Sequence, residues 1–209
     1  MEKLNSISES SQNENDIETK KSQSEEKATE TTNSEQSQTE ECEDLPNEIL
    51  QIEQWTSLKH TETIFDSTKD DWMKDSSTFD SIVLKKEKLI FFIETTDGIS
   101  IGGFMKKKIM GVNRKIGDAD CFVFTNRNNY VQKYQIKSTN KHDAFQLYSK
   151  QDPKLFTFGN DFTIFKEDMK ILSFVNERGS FFDYGRDKNV LLGKVGTFDI
   201  KRIRIIQLE

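Results

Sequence analysis

Sixteen phenylalanines against two prolines, set in short runs between glycines, constrain this chain more than any other property. Runs of this kind are long enough for a strand and too short for a buried helix, so they fit the interleaved core of two packed sheets. The pattern is plainest toward the C-terminal end. Phe156, Phe158, Phe162, Ile164, Phe198, Ile200, Ile203 and Ile205 supply apolar positions there, while Gly159, Gly179, Gly185, Gly193 and Gly196 punctuate them. Nothing in this stretch has the look of a reaction centre. A domain built this way is expected to work through a surface.

The rest of the chain reads consistently with that. Asp44 as a cap, Pro46 in the first turn, and Leu45, Ile49 and Ile52 at helical spacing predict a helix over about 45–55. Residues 63–67 predict a short strand, followed by a polar loop with Trp72 and Phe79 as apolar anchors. Asp97-Gly98 between two β-rich runs predicts a hairpin over 89–104, and residues 126–129 turn a second one over 121–136. Further strands are expected at 144–148, 156–158, 162–165, 171–175 and 197–208. Successive strands with turn signals between them predict an antiparallel sandwich rather than βαβ units. No internal repeat is visible.

Charge divides the chain in two. Residues 1–43 hold twelve acids against four lysines, a net of −8, so the remaining residues carry +2 of the total of −6. The same 43 residues contain no aromatic side chain and eight serines. Such a segment buries too little apolar area to offset backbone ordering of about 1–2 kcal/mol per residue, and a disordered acidic tail is expected, with a phosphorylatable tether as the alternative. The domain boundary is placed at 43/44. A near-neutral folded part excludes the clustered basic face of a nucleic-acid binder; Lys106-Lys107-Lys108 is the one tight basic run. Two cysteines, Cys42 and Cys121, make no disulfide framework, and the longest apolar run, residues 89–93, is far short of the roughly 20 that a membrane helix needs. A cytoplasmic monomer without membrane insertion is expected.

Four elements in order resemble a TLDc domain. They are Gly102-Gly103-Phe104, read as closing an early hairpin, and the Asp-then-aromatic stretch from Asp118 through Phe122 to Phe124. Next come Phe158-Gly159 with Asp161 in an aromatic, glycine and acid stretch, then a terminal strand after the turn at Gly193. The resemblance covers roughly residues 50–209. It implies an α+β, mostly β fold: a two-sheet antiparallel β-sandwich flanked by short helices. It also implies protection against oxidative stress and binding to peripheral subunits of the vacuolar proton-pumping ATPase on its cytosolic face, with recruitment to endosomal or vacuolar membranes. No catalytic residues come with it. The chain departs from the family pattern where Lys106-Lys107-Lys108-Ile109-Met110 follows the glycine pair without the common tryptophan, and in carrying Gly159 alone.

The candidate chemistry is thin. His60 and His142 stand alone, without ligand spacing, and no cofactor or metal is expected. Cys121 alternates within a strand pattern, yet a thiol-dependent peroxide-handling enzyme built on it is the alternative to an interaction domain. The acids Asp66, Asp70, Asp71, Asp75 and Asp80 lack the spacing and glycine of a calcium loop. Asp161 is expected to cap a turn or accept backbone amides. Gly102, Gly103, Gly159 and Gly193 are expected at positive-φ or close-approach positions. Lys201, Arg202 and Arg204 predict a charged, protected edge on the last strand or, with Lys106, Lys107 and Lys108, a partner surface. A carbohydrate-binding sandwich would need Trp55, Trp72, Tyr130 and Tyr134 exposed on one face. The expected function is therefore that of a non-enzymatic adaptor.

Overall fold

A computed structural model describes residues 46–169, 171–176, 181–186, 188, 190–194 and 196–209. The expected tail, Cys42, the Asp44 cap and Gly179 lie outside these residues. The elements begin with α1 (Asn47–Thr56), β1 (His60–Asp66), α2 (Phe79–Val83), β2 (Leu89–Thr95) and β3 (Ser100–Met105). Then come β4 (Arg114–Ile116), β5 (Phe122–Arg127), β6 (Tyr130–Gln135), β7 (Phe145–Leu147) and β8 (Lys154–Phe158). The series closes with β9 (Phe162–Phe165), β10 (Ser173–Val175), β11 (Gly196–Phe198) and β12 (Ile200–Leu208).

These strands form two six-stranded sheets, in the orders β1-β12-β2-β3-β5-β6 and β11-β10-β9-β8-β7-β4. All the pairings are antiparallel. The fold is mostly β, a two-sheet sandwich with few helices. Its turns follow residue chemistry. Gly98 at φ 79 closes β2 to β3, and Asn128 and Asn129, at φ 56 and 60, supply the paired left-handed residues of a type I′ turn between β5 and β6.

The inner faces meet over a phenylalanine core. Phe91 from β2 contacts Phe145, Phe156 and Phe158 of the opposite sheet at ring separations of 4.8, 4.9 and 5.4 Å. Phe65 and Phe79 extend this cluster, which also takes in Trp72, so both expected anchors are buried. A second apolar cluster lies on the other side of the first sheet. There Ile49 and Ile52 of α1 cover Ile90, Phe92, Phe104, Phe122, Phe124, Ile206 and Leu208. Strand β2 is therefore buried on both faces, which is why residues 89–93 are apolar without alternation.

Several expectations need correction. Pro46 is not in the first helical turn; it precedes α1 with an extended backbone, φ −53 and ψ 144. The loop carrying Phe79 contains α2, a single turn too short to show a period. β4 was not expected, because three residues reading Arg-Lys-Ile carry no apolar alternation. The strand expected at 171–175 begins only at Ser173, leaving Ile171 and Leu172 exposed. The strand expected at 197–208 is two strands, split at Asp199, and its halves join different sheets. Its longer half is not an edge. β12 lies between β1 and β2, so both rows of its backbone groups are paired, and the reading of Lys201, Arg202 and Arg204 as edge protection fails.

Candidate interaction surface

The glycine pair does not close a hairpin. It sits mid-strand in β3, where each glycine clears space on one side of the sheet. Gly102 is in register with Phe92 on one neighbour and Phe124 on the other, and those two rings stack at 6.2 Å across it. A Cβ there would run into the Phe124 ring and the Phe91 carbonyl oxygen. Gly103 faces inward, where a Cβ would stand 2.5 Å from the Phe158 ring of the opposite sheet. One glycine thus admits the outer aromatic layer and the next admits the inner one. Close approach, not positive φ, is the reason for both.

The two motif aspartates are buried and accept backbone amides. Asp118 Oδ2 accepts from the N–H groups of Lys106 and Lys107 at 2.7 and 3.0 Å, and its Oδ1 accepts from Asp120 N at 3.0 Å. It ties the start of the basic loop to the entry of β5. Asp161 Oδ2 accepts from Phe181 N and Phe182 N at 2.7 and 3.2 Å. Burial pushes the Asp161 carboxyl up to about 6, against the pull of those two amides. Gly159 at φ 54 and Gly193 at φ 74 hold left-handed turns, packed on Phe181 and on the Arg127 guanidinium. Phe158 is wholly buried, and Phe122 stacks on Phe104 at 5.2 Å under the edge of Trp55.

Cys121 and several of the loop acids are also bound into the frame. Cys121 is fully buried, and desolvation pushes its thiol well above the ordinary range, so the thiolate needed for nucleophilic or peroxide chemistry is disfavoured. His60 donates its backbone N–H to Glu53 Oε1 at 2.7 Å, and the carboxylate beside His142, Asp143, pairs with Lys115 at 2.6 Å. Of the acids in the early loop, Asp66 accepts from Arg202 Nε at 3.0 Å and is held well below the usual carboxylate range by that guanidinium. Asp70 and Asp71 accept backbone amides. Among the described residues no group of three His, Cys, Asp or Glu side chains is placed to hold a metal ion. Trp72 and Tyr134 are buried, and the half-buried Trp55 lies on the opposite face of the first sheet from the exposed Tyr130. The four aromatics do not form one sugar platform.

The candidate basic residues do not converge. Lys106, Lys107 and Lys108 are exposed at the end of β3, beside the start of β2, whereas Lys201, Arg202 and Arg204 lie by the other end of β2. Arg204 is buried against Glu94 at 2.8 Å and stands 4.8 Å above the Phe92 ring, and Lys106 bonds Asp120 at 3.0 Å.

With this geometry established, comparison with known proteins gives one match: the TLDc domain, over residues 33–209. The chain belongs to the TLDc domain family. The match begins ahead of the stretch that the four motif elements span. No curated protein matches the chain. In this TLDc domain the residues that carry the resemblance, Gly102, Gly103, Asp118, Phe122, Phe158, Gly159, Asp161 and Gly193, are residues of the frame.

Sequence reasoning missed Lys166. Its ammonium is buried and donates to the carbonyls of Ser149, Lys150 and Asp152 at 3.0, 2.5 and 2.6 Å, gathering that loop around one charge. Burial pulls its pKa down from the ordinary range. A lysine following Phe165 gives no local signal of this, because its partners are backbone groups of another loop. Among the described residues no helix is long and apolar enough to cross a membrane.

Proposed function

We propose that this TLDc domain is a non-enzymatic interaction module, an adaptor or regulator that docks on a protein complex. The vacuolar proton-pumping ATPase is the complex that the family suggests, through its peripheral subunits on the cytosolic side. One observation carries the reading: the residue types that could do chemistry serve the fold instead. Asp118 and Asp161 each accept at least two backbone amides, Cys121 is sealed in the core, and both glycines of the pair make room for rings. What remains for function is loops, a sheet edge and exposed lysines, acting by shape and charge. A cytoplasmic protein that protects against oxidative stress by adjusting pump assembly would fit this design.

The test is affinity capture from native lysate with the full chain as bait, with and without ATP, read by mass spectrometry. Recovery of several peripheral pump subunits is the expected result. Recovery of a different, reproducible set would replace the pump while keeping the adaptor. A peroxidase activity lost on Cys121→Ser would overturn the non-enzymatic reading.

A further inference from the structure

The two edges of the first sheet are built differently. β1 carries two register shifts against β12, one between His60 and Glu62 and one between Thr63 and Phe65. Such irregularities protect an edge from pairing. β6 pairs with β5 without any shift from Phe122↔Gln135 to Arg127↔Tyr130. In a two-residue hairpin the closing pair exchanges both hydrogen bonds, so Tyr130, Gln132 and Tyr134 bond to β5 while Val131, Lys133 and Gln135 point their backbone groups outward. Neighbouring bonds agree with this phase. Ile136 N donates inward to the Cys121 carbonyl, and the Gln135 carbonyl accepts from Asp183 N on the outer side. Residues 181–183 therefore extend the sheet over Gln135 to Lys137, and the outward backbone of Val131 and Lys133 has no strand against it among the described residues.

Beside this open stretch, on the outer face, lies a cavity of about 300 Å³. Trp55, Phe104 and Phe122 form its apolar part, and Lys88, Lys106 and Lys133 ring it. Lys133 Nζ stands 5.3 Å from the Trp55 ring and 5.5 Å from Phe122. The acid on the rim, Asp120, is already bonded to Lys106. A strand added at β6 would lie about 4.8 Å away, and its alternate side chains would stand on the same face as Lys133, at the rim of the cavity that β6 borders.

We propose that β6 and this cavity form a docking site for an extended acidic peptide of a protein partner. The peptide pairs its backbone with Val131 and Lys133 and seats one large apolar side chain against Trp55 and Phe122, with its acidic neighbours on the lysines. The proposal rests on the reading of the domain as an interaction module and names the chemistry of what it binds. Backbone pairing at an edge with a pocket for alternate side chains is a general way of reading extended peptides. A second copy of this chain fits less well, because pairing two β6 edges would bring two Lys133 side chains together on one face.

The experiment uses the full chain and three labelled nine-residue peptides: Thr and Glu alternating around a central Leu, the same with Lys for Glu, and the acidic one with N-methylated backbone. Fluorescence anisotropy should show the acidic peptide binding about tenfold or more tighter than either of the others. Val131→Pro removes one outward N–H, a change that edge strands tolerate, and should weaken the acidic peptide about tenfold. Lys133→Glu should weaken it by a similar factor, and added salt should weaken it further. No binding by any peptide at millimolar concentration overturns the proposal, as does equal binding of the acidic and basic peptides. If Val131→Pro unfolds, the N-methylated peptide and Lys133→Glu decide. A dimer of the wild-type chain that Lys133→Glu abolishes would make a second copy the occupant and also overturn it. Pump subunits captured equally by wild type and Lys133→Glu would leave the adaptor reading standing and remove this site; peptide binding without pump capture would keep this site and the adaptor reading and remove the pump as the partner.

Discussion

The outer faces of the two sheets differ in what they carry and in what covers them. On the first, Ile90, Phe92, Phe104, Phe122 and Phe124 are buried beneath α1. On the second, Gln146, Thr157, Thr163 and Lys115 line an open groove of about 290 Å³ with Tyr148 and Phe181 at its walls. The second sheet gives the shared core more phenylalanines (Phe145, Phe156, Phe158, Phe162 and Phe198) than the first (Phe65 and Phe91), yet both inner faces are buried in one core, so the difference in cover lies on the outer faces. A third layer forms where the outward positions are aromatic; among the described residues no helix lies over the second sheet, whose groove keeps Lys115 exposed and Gln146 half-exposed.

The sharpest way to break this contrast is Gly102→Ala. Its Cβ has no room between the Phe91 carbonyl and the Phe124 ring, so a loss of more than about 3 kcal/mol, or failure to fold, is expected in urea titrations followed by circular dichroism. Phe92→Ala should cost about 3–5 kcal/mol in the same titration, since it empties the interface between the sheet and α1. Asp161, behind the second sheet's groove, should give a smaller effect with a distinctive pH signature. Its folded-state pKa of about 6 lies above the ordinary carboxylate value, so its charge destabilises the fold above pH 6. That cost is relieved as pH falls through 6 toward 4, and Asp161→Asn should remove this part of the pH dependence, on the order of 2 kcal/mol, from thermal melts between pH 4 and 8. Asp66 runs the other way. The stability it contributes through Arg202 is complete above about pH 4 and is lost progressively as pH falls from there to its depressed folded-state pKa, so Asp66→Asn should flatten the acid limb. Smallest of all is Gln146→Thr on the open groove, where a change within about 0.5 kcal/mol is expected; a larger one would mean that the face is covered.

How much of this could be read from residues alone varies with the element. The two hairpins of the first sheet were legible because Asp97-Gly98 and Asn128-Asn129 are turn chemistry with a mechanism, and β2 and β5 ahead of them open on apolar runs. α1 was legible from Ile49 and Ile52, though not its role as the lid of a second apolar layer; the unbroken run at 89–93 was the sign of that. The split at Asp199 was not legible, since an apolar pattern on both sides of one residue says nothing about which sheet each half joins. The candidate site was less visible still. Lys106 was named for its basic run, but the edge at Val131 and the approach of Lys133 to Trp55 join residues that only pairing brings together, and Lys166 depends on carbonyls that no side-chain pattern encodes.

The place of β12 between β1 and β2 has a consequence for how the protein is made. β1 reaches the rest of its sheet only through β12, and one flank of β2 is completed by it as well. While the ribosome is still translating, residues 89–95 have emerged long before 200–208, so a nascent chain holds out a strand that is apolar over 89–93 and paired only with β3, its other flank open until β12 follows. Such a strand is a target for chaperones and for neighbouring nascent chains, and its protection during that interval falls to the cell.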